Sequence, residues 1–427
     1  MFFIYSALLY LLAPIFFPIM AINLALRGKS RAGLRQRLGI FDDGFFGQRG
    51  SKTVWVHAVS VGETLAAVPL VSKLKYRNPG VQVYFSTVTE TGNAVAREKL
   101  DPADRVFYFP FDFPFAVNSV INKMRPDVFV VVETELWPNL LHALSRQGIP
   151  AVMVNGRISP RSYRNYYRAR FFMRRVLALI SRFSMQTAQD AVRIKAIGAP
   201  HERVIVAGNV KFDQACASIR DKGAGPVTRA SLGLPESALV MVAGSTHGGE
   251  EEEVIAAYRK ILVSNPDACL ILAPRHPERL EAVRSLLAGA SMPYRLKSGL
   301  GAAPSRMPGV ILLDTMGELS GMYRVGDINF VGGSWVSVGG HNILEPAAFG
   351  KAVFHGPHMH NFAEIRDILM AAGVAKEVRD GVELAREGMR LVHEPERVRS
   401  ITESAREALT ANRGALERNV GLIEGFL

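Results

Sequence analysis

An α/β protein of two doubly wound, Rossmann-like domains is the architecture the sequence predicts, on three observations. Apolar runs of strand length, rich in Val and Ile, recur through the 427 residues and alternate with segments of helical length. These runs are apolar at successive rather than alternate positions, as strands covered on both faces of a parallel sheet are. The chain is long enough for two hydrophobic cores, and a polar stretch rich in Gly and Pro, residues 218–237, reads as a linker.

The elements follow in order. Residues 1–26 carry no charged side chain, a length sufficient for a bilayer core. Arg27, Lys29, Arg31, Arg35 and Arg37 follow at once. Positive charge on that flank predicts a membrane-anchor helix with the remaining chain on the cytoplasmic side. A cleavable signal would carry its charge first, so the anchor is expected to be retained. Pro14 and Pro18 would kink it or tilt it into a half-inserted segment. Strand-like runs then lie at 54–61, 81–87, 128–132, 151–155 and 184–187 in the first half, and at 204–207, 239–243, 269–273, 310–313, 328–331 and 352–354 in the second. The expected division is an anchor at 1–26, a first domain at 27–217, the linker at 218–237 and a second domain at 238–427.

Composition narrows the function. Lys and Arg number 51 against 39 Asp and Glu, a formal net charge of +12, which calls for a polyanionic partner: nucleic acid, anionic lipid or nucleotide. Cys216 and Cys269 are far apart and in no CxxC pattern, which argues against a disulfide framework or a Cys-based zinc site and fits a reducing compartment. There is no GxxxxGK[ST], and no GxGxxG at the first strand turn, so kinase, ATPase and dehydrogenase readings lose ground.

In open parallel sheets ligands bind beyond the carboxyl ends of strands, and polar residues collect at those ends here. In "HAVSVGETLAAVPL" the first run stops at Gly62 and Glu63 follows. A Gly at that junction permits a tight turn, and the unpaired N–H groups of a first helical turn favour an anion. Glu63 is then either a helix-start residue or a carboxylate held at the mouth of a cleft. "VFVVVETELWPNLL" ends a buried run with Glu133 and Glu135, then Trp137 and Asn139; carboxylates there orient a sugar, act as acid or base, or cap a helix. Asn155 and Arg157 in "VNGRIS" end the next run, and "STVTETG" at 86–92 is a capping turn or a ligand loop. Residues 160–183 hold seven arginines interleaved with Tyr and Phe, a composition that suits a phosphorylated lipid or membrane surface, nucleic acid, or a solvated face over an aromatic core.

The second half has the look of a nucleotide side. "VMVAGSTHGGEEE" runs from strand into Ser245, Thr246 and His247 and then a helix; free N–H groups there accept a phosphate, although the acids from Glu250 to Glu253 argue for an ordinary helix start. "LILAPRHPERL" places Arg275 and His276 at a strand end, suited to a phosphate or a base edge. "LLDTMGELSGMY" supplies Met316, Gly317 and Glu318, and "VGGHNILEPAAFG" supplies His341, Asn342 and Glu345. A carboxylate after a Gly-rich turn suits the hydroxyls of a ribose.

These segments, with "HAVSVGE", "ETELWPN", "NGRIS", "GNVKFD", "AGSTHGGEE" and "APRHPER" in that order, closely resemble the 3-deoxy-D-manno-octulosonic acid (Kdo) transferases of lipid A assembly. The resemblance runs from the N-terminus to about Pro357. It implies a GT-B glycosyltransferase at the cytoplasmic face of the Gram-negative inner membrane that uses CMP-Kdo as donor and the acylated, phosphorylated glucosamine disaccharide precursor of lipid A as acceptor. Inversion at the anomeric carbon, no bound metal and no nucleic-acid partner are further expectations. By the same resemblance Glu63 is the general base, and Glu133 or Glu135 holds or polarises a sugar. Asn155, Arg157 and Lys211 are expected to bind substrate, Lys211 either reaching the donor carboxylate or phosphate or being a plain surface lysine. Ser245, Thr246, His247, Arg275 and His276 face the phosphate, Met316 to Glu318 receive cytosine, and Asn342 and Glu345 engage ribose and phosphate. A UDP-sugar-dependent enzyme and a non-catalytic binding protein on the same scaffold are the competing classes. The number of Kdo units and the oligomeric state stay open.

Overall fold

Among the described residues fourteen strands carry the fold, and each of them is parallel to its neighbours. The computed structural model describes residues 1–27, 33–47, 52–102, 104–218, 227–300 and 309–427; Lys29 and Arg31 of the basic cluster and residues 219–226 of the linker lie outside them. The chain divides into two compact units, Met1–Asp213 with Arg413–Leu427, and Gln214–Asn412.

The first unit is built on β1 (Lys52–His57), β2 (Val81–Thr87), β3 (Arg105–Tyr108), β4 (Val128–Val132), β5 (Ala151–Gly156), β6 (Arg182–Met185) and β7 (Val204–Val206), in the order β3-β2-β1-β4-β5-β6-β7. Uninterrupted apolar runs form its central strands because both faces are buried. Trp55, Phe129, Val131 and Met153 enter one core with Phe107 and Phe183. Val54, Val56, Val128, Val130 and Val152 enter the other, where the last helix, Ala415–Glu424, contributes Val420 and Ile423. Asp213 tethers that helix, its carboxylate accepting from the N–H groups of Gly414 (2.7 Å) and Leu416 (2.8 Å).

The second unit repeats the plan with β8 (Val240–Thr246), β9 (Cys269–Pro274), β10 (Tyr294–Leu296), β11 (Val310–Leu312), β12 (Ile328–Val331), β13 (Val353–His355) and β14 (Ala375–Glu377), ordered β10-β11-β9-β8-β12-β13-β14. Both sheets place their central strand carboxyl ends side by side, and the motif residues follow those ends.

Four expectations change. The run at 54–61 is strand only to His57, and the next helix, Val61–Arg77, is N-capped by Ser60, so Gly62 is a helical residue and not the turn. Strands β3, β10 and β14 had no place in the sequence reading; β10 and β14 are three-residue sheet edges with polar positions. Residues 413–427 pack with the first unit although they follow the second in the chain. Finally, among the described residues no helix is long and apolar enough to cross a membrane, so the expected N-terminal anchor is not supported. Phe2–Arg27 is helical, with Pro14 and Pro18 inside it, and its first turns are docked on the first unit. Phe2 stacks on His142 at 4.4 Å, Tyr5 donates to Asp112 Oδ2 (3.1 Å) and Ser6 donates to Asn139 Oδ1 (2.8 Å). Those polar and aromatic contacts occupy one face, leaving Phe3, Ile4, Leu8, Leu11 and Ile15 exposed on the rest.

Candidate active site

At the carboxyl ends of β1 and β4 three carboxylates gather. Ser60 N-caps the helix Val61–Arg77 and exchanges two hydrogen bonds with Glu63: Glu63 N–H donates to Ser60 Oγ (3.5 Å), and Ser60 Oγ donates to Glu63 Oε1 (2.9 Å). The N–H of Val59 donates to Oε2 (2.7 Å). Glu63 is thus a helix-start residue, and its side chain remains half-buried rather than sealed. Burial raises its carboxyl to about 7, with Glu133 pushing in the same direction and the two hydrogen bonds resisting. Glu135 is likewise raised to about 7 by burial and by the charges of Glu63 and Glu133. Glu133 reaches this cluster from a backbone bend at the end of β4, with φ 60°, its N–H held by Val154 O at 2.9 Å. The phenol of Tyr166, on the helix Pro160–Arg168, feels Glu135 and is raised by burial and by that charge.

Around this cluster the supporting residues are buried. Asp112, unmarked in the sequence reading, accepts from the N–H groups of Asn139 (3.0 Å) and Leu140 (2.8 Å) and so starts the helix Pro138–Arg146; burial lifts its carboxyl to about 6. Asn139 is thereby structural. Asn155, 1% exposed and at φ 53°, accepts from Val210 N–H (3.2 Å) through Oδ1 while its carbonyl accepts from Gln186 Nε2 (2.9 Å). Gln186 in turn accepts from Asn209 Nδ2 (2.9 Å), and Asn209 Oδ1 accepts from Lys211 N–H (3.0 Å). The chain of amides holds the backbone that carries Lys211, which is half-buried. Arg157 is placed through its N–H on Thr134 Oγ1 (3.2 Å). In the basic aromatic segment, Arg170 lies over Tyr167 (4.7 Å) and Arg175 over Phe171 (5.1 Å).

In the second unit, four loops at the ends of the adjacent strands β11, β9, β8 and β12 carry the motif residues. Ser245 has φ 56°, and Thr246, fully buried, takes the N–H of Arg275 on its carbonyl at 2.9 Å. The side chains of Arg275 and His276 are exposed. His247 Nε2 lies 2.8 Å from His341 Nε2, the rings nearly parallel with centroids 5.1 Å apart, and His276 meets His247 edge-on at 5.3 Å. The backbone anion cradle expected at Ser245 to His247 is already filled. Glu250, with no exposed surface, accepts from the N–H groups of His247 (2.9 Å), Gly333 (2.7 Å), Ser334 (2.9 Å) and Trp335 (2.8 Å). A phosphate arriving here would meet side chains instead. Met316 is 73% exposed, and Gly317, at φ 82°, has open space where a Cβ would stand. Glu318 accepts from Thr315 Oγ1 and pairs with Lys297 (3.4 Å). Asn342 Nδ2 donates to Glu345 Oε1 (3.3 Å) while Asn342 Oδ1 accepts from Leu344 N–H (3.2 Å). Among the described residues no cluster of His, Cys, Asp and Glu is arranged to hold a metal ion.

A family profile described as 3-deoxy-D-manno-octulosonic-acid transferase (kdotransferase) matches residues 32–214. Over 381 residues the chain is 35% identical to the 3-deoxy-D-manno-octulosonic acid transferase of Haemophilus influenzae, covering 88% of this chain and 87% of that one. The chain is a Kdo transferase. A second relative in that family, from Bordetella pertussis, is 34% identical over 373 residues, 83% of this chain and 84% of its own. Among solved structures, UDP-GlcNAc 2-epimerase from Neisseria meningitidis matches with TM-score 0.60 at 15% identity, over 88% of this chain and 100% of that one. MurG of Acinetobacter baumannii matches with TM-score 0.55 at 14% identity, over 88% and 99%. These two likenesses establish a GT-B-like α/β fold of two parallel Rossmann-type sheets for the Kdo transferase. The carboxylates Glu63, Glu133 and Glu135 thus lie together on one sheet of a glycosyltransferase, and His247, Arg275 and His276 on the other.

Proposed function

We propose that this transferase moves Kdo from CMP-Kdo to the acylated, phosphorylated glucosamine disaccharide precursor of lipid A, with inversion at the anomeric carbon. The observation that carries the reading is the carboxylate of Glu63, held in place by Ser60 and Val59 and raised to about 7. A base in that range is ionised often enough to act and basic enough to accept the proton of a sugar hydroxyl as its oxygen attacks. Glu135 and Glu133 then orient the sugar hydroxyls, Glu135 with Tyr166 beside it. Lys211 faces the donor's carboxylate or phosphate, and Arg157 assists in binding. On the nucleotide side, Arg275, His276, Ser245 and the ring of His247 receive the phosphate, Thr246 supports that turn from within, Met316 to Glu318 receive cytosine, and Asn342 with Glu345 engages ribose. The leaving phosphate is stabilised by these cationic and polar side chains, so the reading calls for no metal.

The acceptor's chemistry favours work at the cytoplasmic face of the inner membrane, with the protein lying on the bilayer. The exposed Phe3, Ile4, Leu8, Leu11 and Ile15 and the arginines of helices Pro160–Arg168 and Arg170–Leu177 support it, since apolar and cationic side chains together bind anionic lipid surfaces. Purified protein incubated with CMP-Kdo and the acylated disaccharide, followed by mass spectrometry of the lipid, tests the reaction. A mass gain of Kdo with CMP-Kdo and none with UDP-sugars is expected; turnover of UDP-sugars alone would replace this donor with another.

A further inference from the structure

The 2.8 Å separation of His247 Nε2 and His341 Nε2 constrains their protons. Two N–H groups cannot face each other at that distance, nor can two lone pairs, so one nitrogen donates and the other accepts. The pair therefore holds one proton on its shared edge in any state that keeps the contact. Its remaining capacity is on the outer nitrogens. The neutral pair has one unprotonated Nδ1, and a proton added there gives an imidazolium donating to a neutral imidazole with the contact unbroken. A further proton would break it. The pair is a reservoir for one positive charge.

Its surroundings keep that charge off in the free protein. Gly333, at φ 65°, lies beneath the rings, where a Cβ would come within 2.7 Å of His341 Cδ2. Facing the pair are Glu250 at the start of the helix Glu250–Ser264 and Arg275, His276 and Arg279 after β9, while His360 lies against Gly339, two residues before His341. Glu250 is engaged by four backbone N–H groups and Arg279 by Glu251 (3.1 Å); among the described residues Arg275 has no carboxylate partner. Burial and the neighbouring cations hold His341 down at about 4, and burial lowers His247 as well.

We propose that the arrival of the donor's phosphate brings one proton from solvent onto the His247–His341 pair, so that the nucleotide leaves the sugar beside an imidazolium formed on binding. The proposal rests on the reading that places the phosphate at this turn, and adds His341 to the residues that serve it. The proton stays on the pair during transfer and returns to solvent when CMP departs. His341 acts through His247 and is a positioning residue.

Proton uptake is read by calorimetry of the full-length protein in buffers of equal pH and different ionisation enthalpy, between about pH 5.5 and 8. The probe is the methyl phosphodiester of CMP, whose single acidic group stays ionised throughout. Expected are uptake of up to about one proton for the ester and none for cytidine, with affinity falling by up to about tenfold per pH unit on the alkaline side. His341→Gln and His247→Gln should each abolish the uptake while retaining cytidine binding. Ester binding without uptake across the range would overturn the proposal and leave the nucleotide site standing, and so would uptake that survives in both variants. Failure of the ester to bind better than cytidine at any pH would instead remove the phosphate from this turn. The wild-type comparison of ester with cytidine decides the matter even where a variant does not fold.

Discussion

The acid limb of the rate profile is the sharpest test of the carboxylate cluster, because two substitutions should move it in opposite directions. Glu63 titrates at about 7, so about one-tenth of the protein carries the ionised base one pH unit lower, and kcat/KM should fall about tenfold per unit below that point. Ser60→Ala removes the hydrogen bond to Oε1 and leaves only Val59 N–H. A hydrogen bond to a charged group contributes about 1.5–3 kcal/mol, and one pKa unit is about 1.4 kcal/mol. With allowance for the half-exposed setting, the limb should rise by about half to one unit. Glu133→Gln removes a like charge that acts on both Glu63 and Glu135, so the limb should fall. The assay is CMP release under limiting CMP-Kdo, with CMP affinity measured alongside so that nucleotide binding is accounted for separately. A flat profile from about pH 5.5 to 8, or limbs that move the same way in both variants, would refute Glu63 as the titrating base.

Other perturbations have definite signs. Glu63→Gln should lower the rate by about two to four orders of magnitude with CMP binding nearly unchanged; an unchanged rate removes it from the base role. Because the folded pKa of Glu135 is raised to about 7 from 4.5, the folded state binds protons more tightly than the unfolded one, and stability is lost as pH rises across that window. Glu135→Gln should then stabilise the fold by about 1–3 kcal/mol above neutrality and hardly at all near the lower end, as read by denaturant midpoints at both pH values. Glu250→Gln turns one of the two carboxylate oxygens, each serving two N–H groups, into an NH2 donor and removes the charge, a loss of about 2–3 kcal/mol measured by thermal unfolding, with weaker CMP binding. Arg275→Ala should weaken CMP binding in calorimetry without lowering the melting temperature, its side chain being exposed.

Much of the fold was legible because burial on both faces writes itself as uninterrupted apolar runs. Strand β4 was expected at 128–132 and is Val128–Val132, and the positions of Glu133, Arg275 and Glu345 after strands follow from the same pattern. What escaped depends on partners distant in the chain. Asp112 starts a helix 27 residues away, and Glu250 fills a cradle formed partly by Gly333, 83 residues on; no local spacing announces either. The glycine at the first strand end suggested a turn that Ser60 makes instead. The N-terminal apolar stretch looked like a span because its length and lack of charge were visible, whereas Asp112, Asn139 and His142, which receive its first turns, were not recognisable as its partners.

The capture of Ala415–Glu424 by the first sheet has an outcome for biosynthesis. Val420 and Ile423 complete a face made by strands translated hundreds of residues earlier, and Asp213 waits for the amides of Gly414 and Leu416. While the ribosome is still at work, the amino-terminal sheet keeps a strip of valines uncovered and the later sheet has every strand it needs. The half that emerges first is therefore the half finished last, and a stop codon just before Gly414 would harm the opening portion of the protein, leaving the portion beside the stop intact.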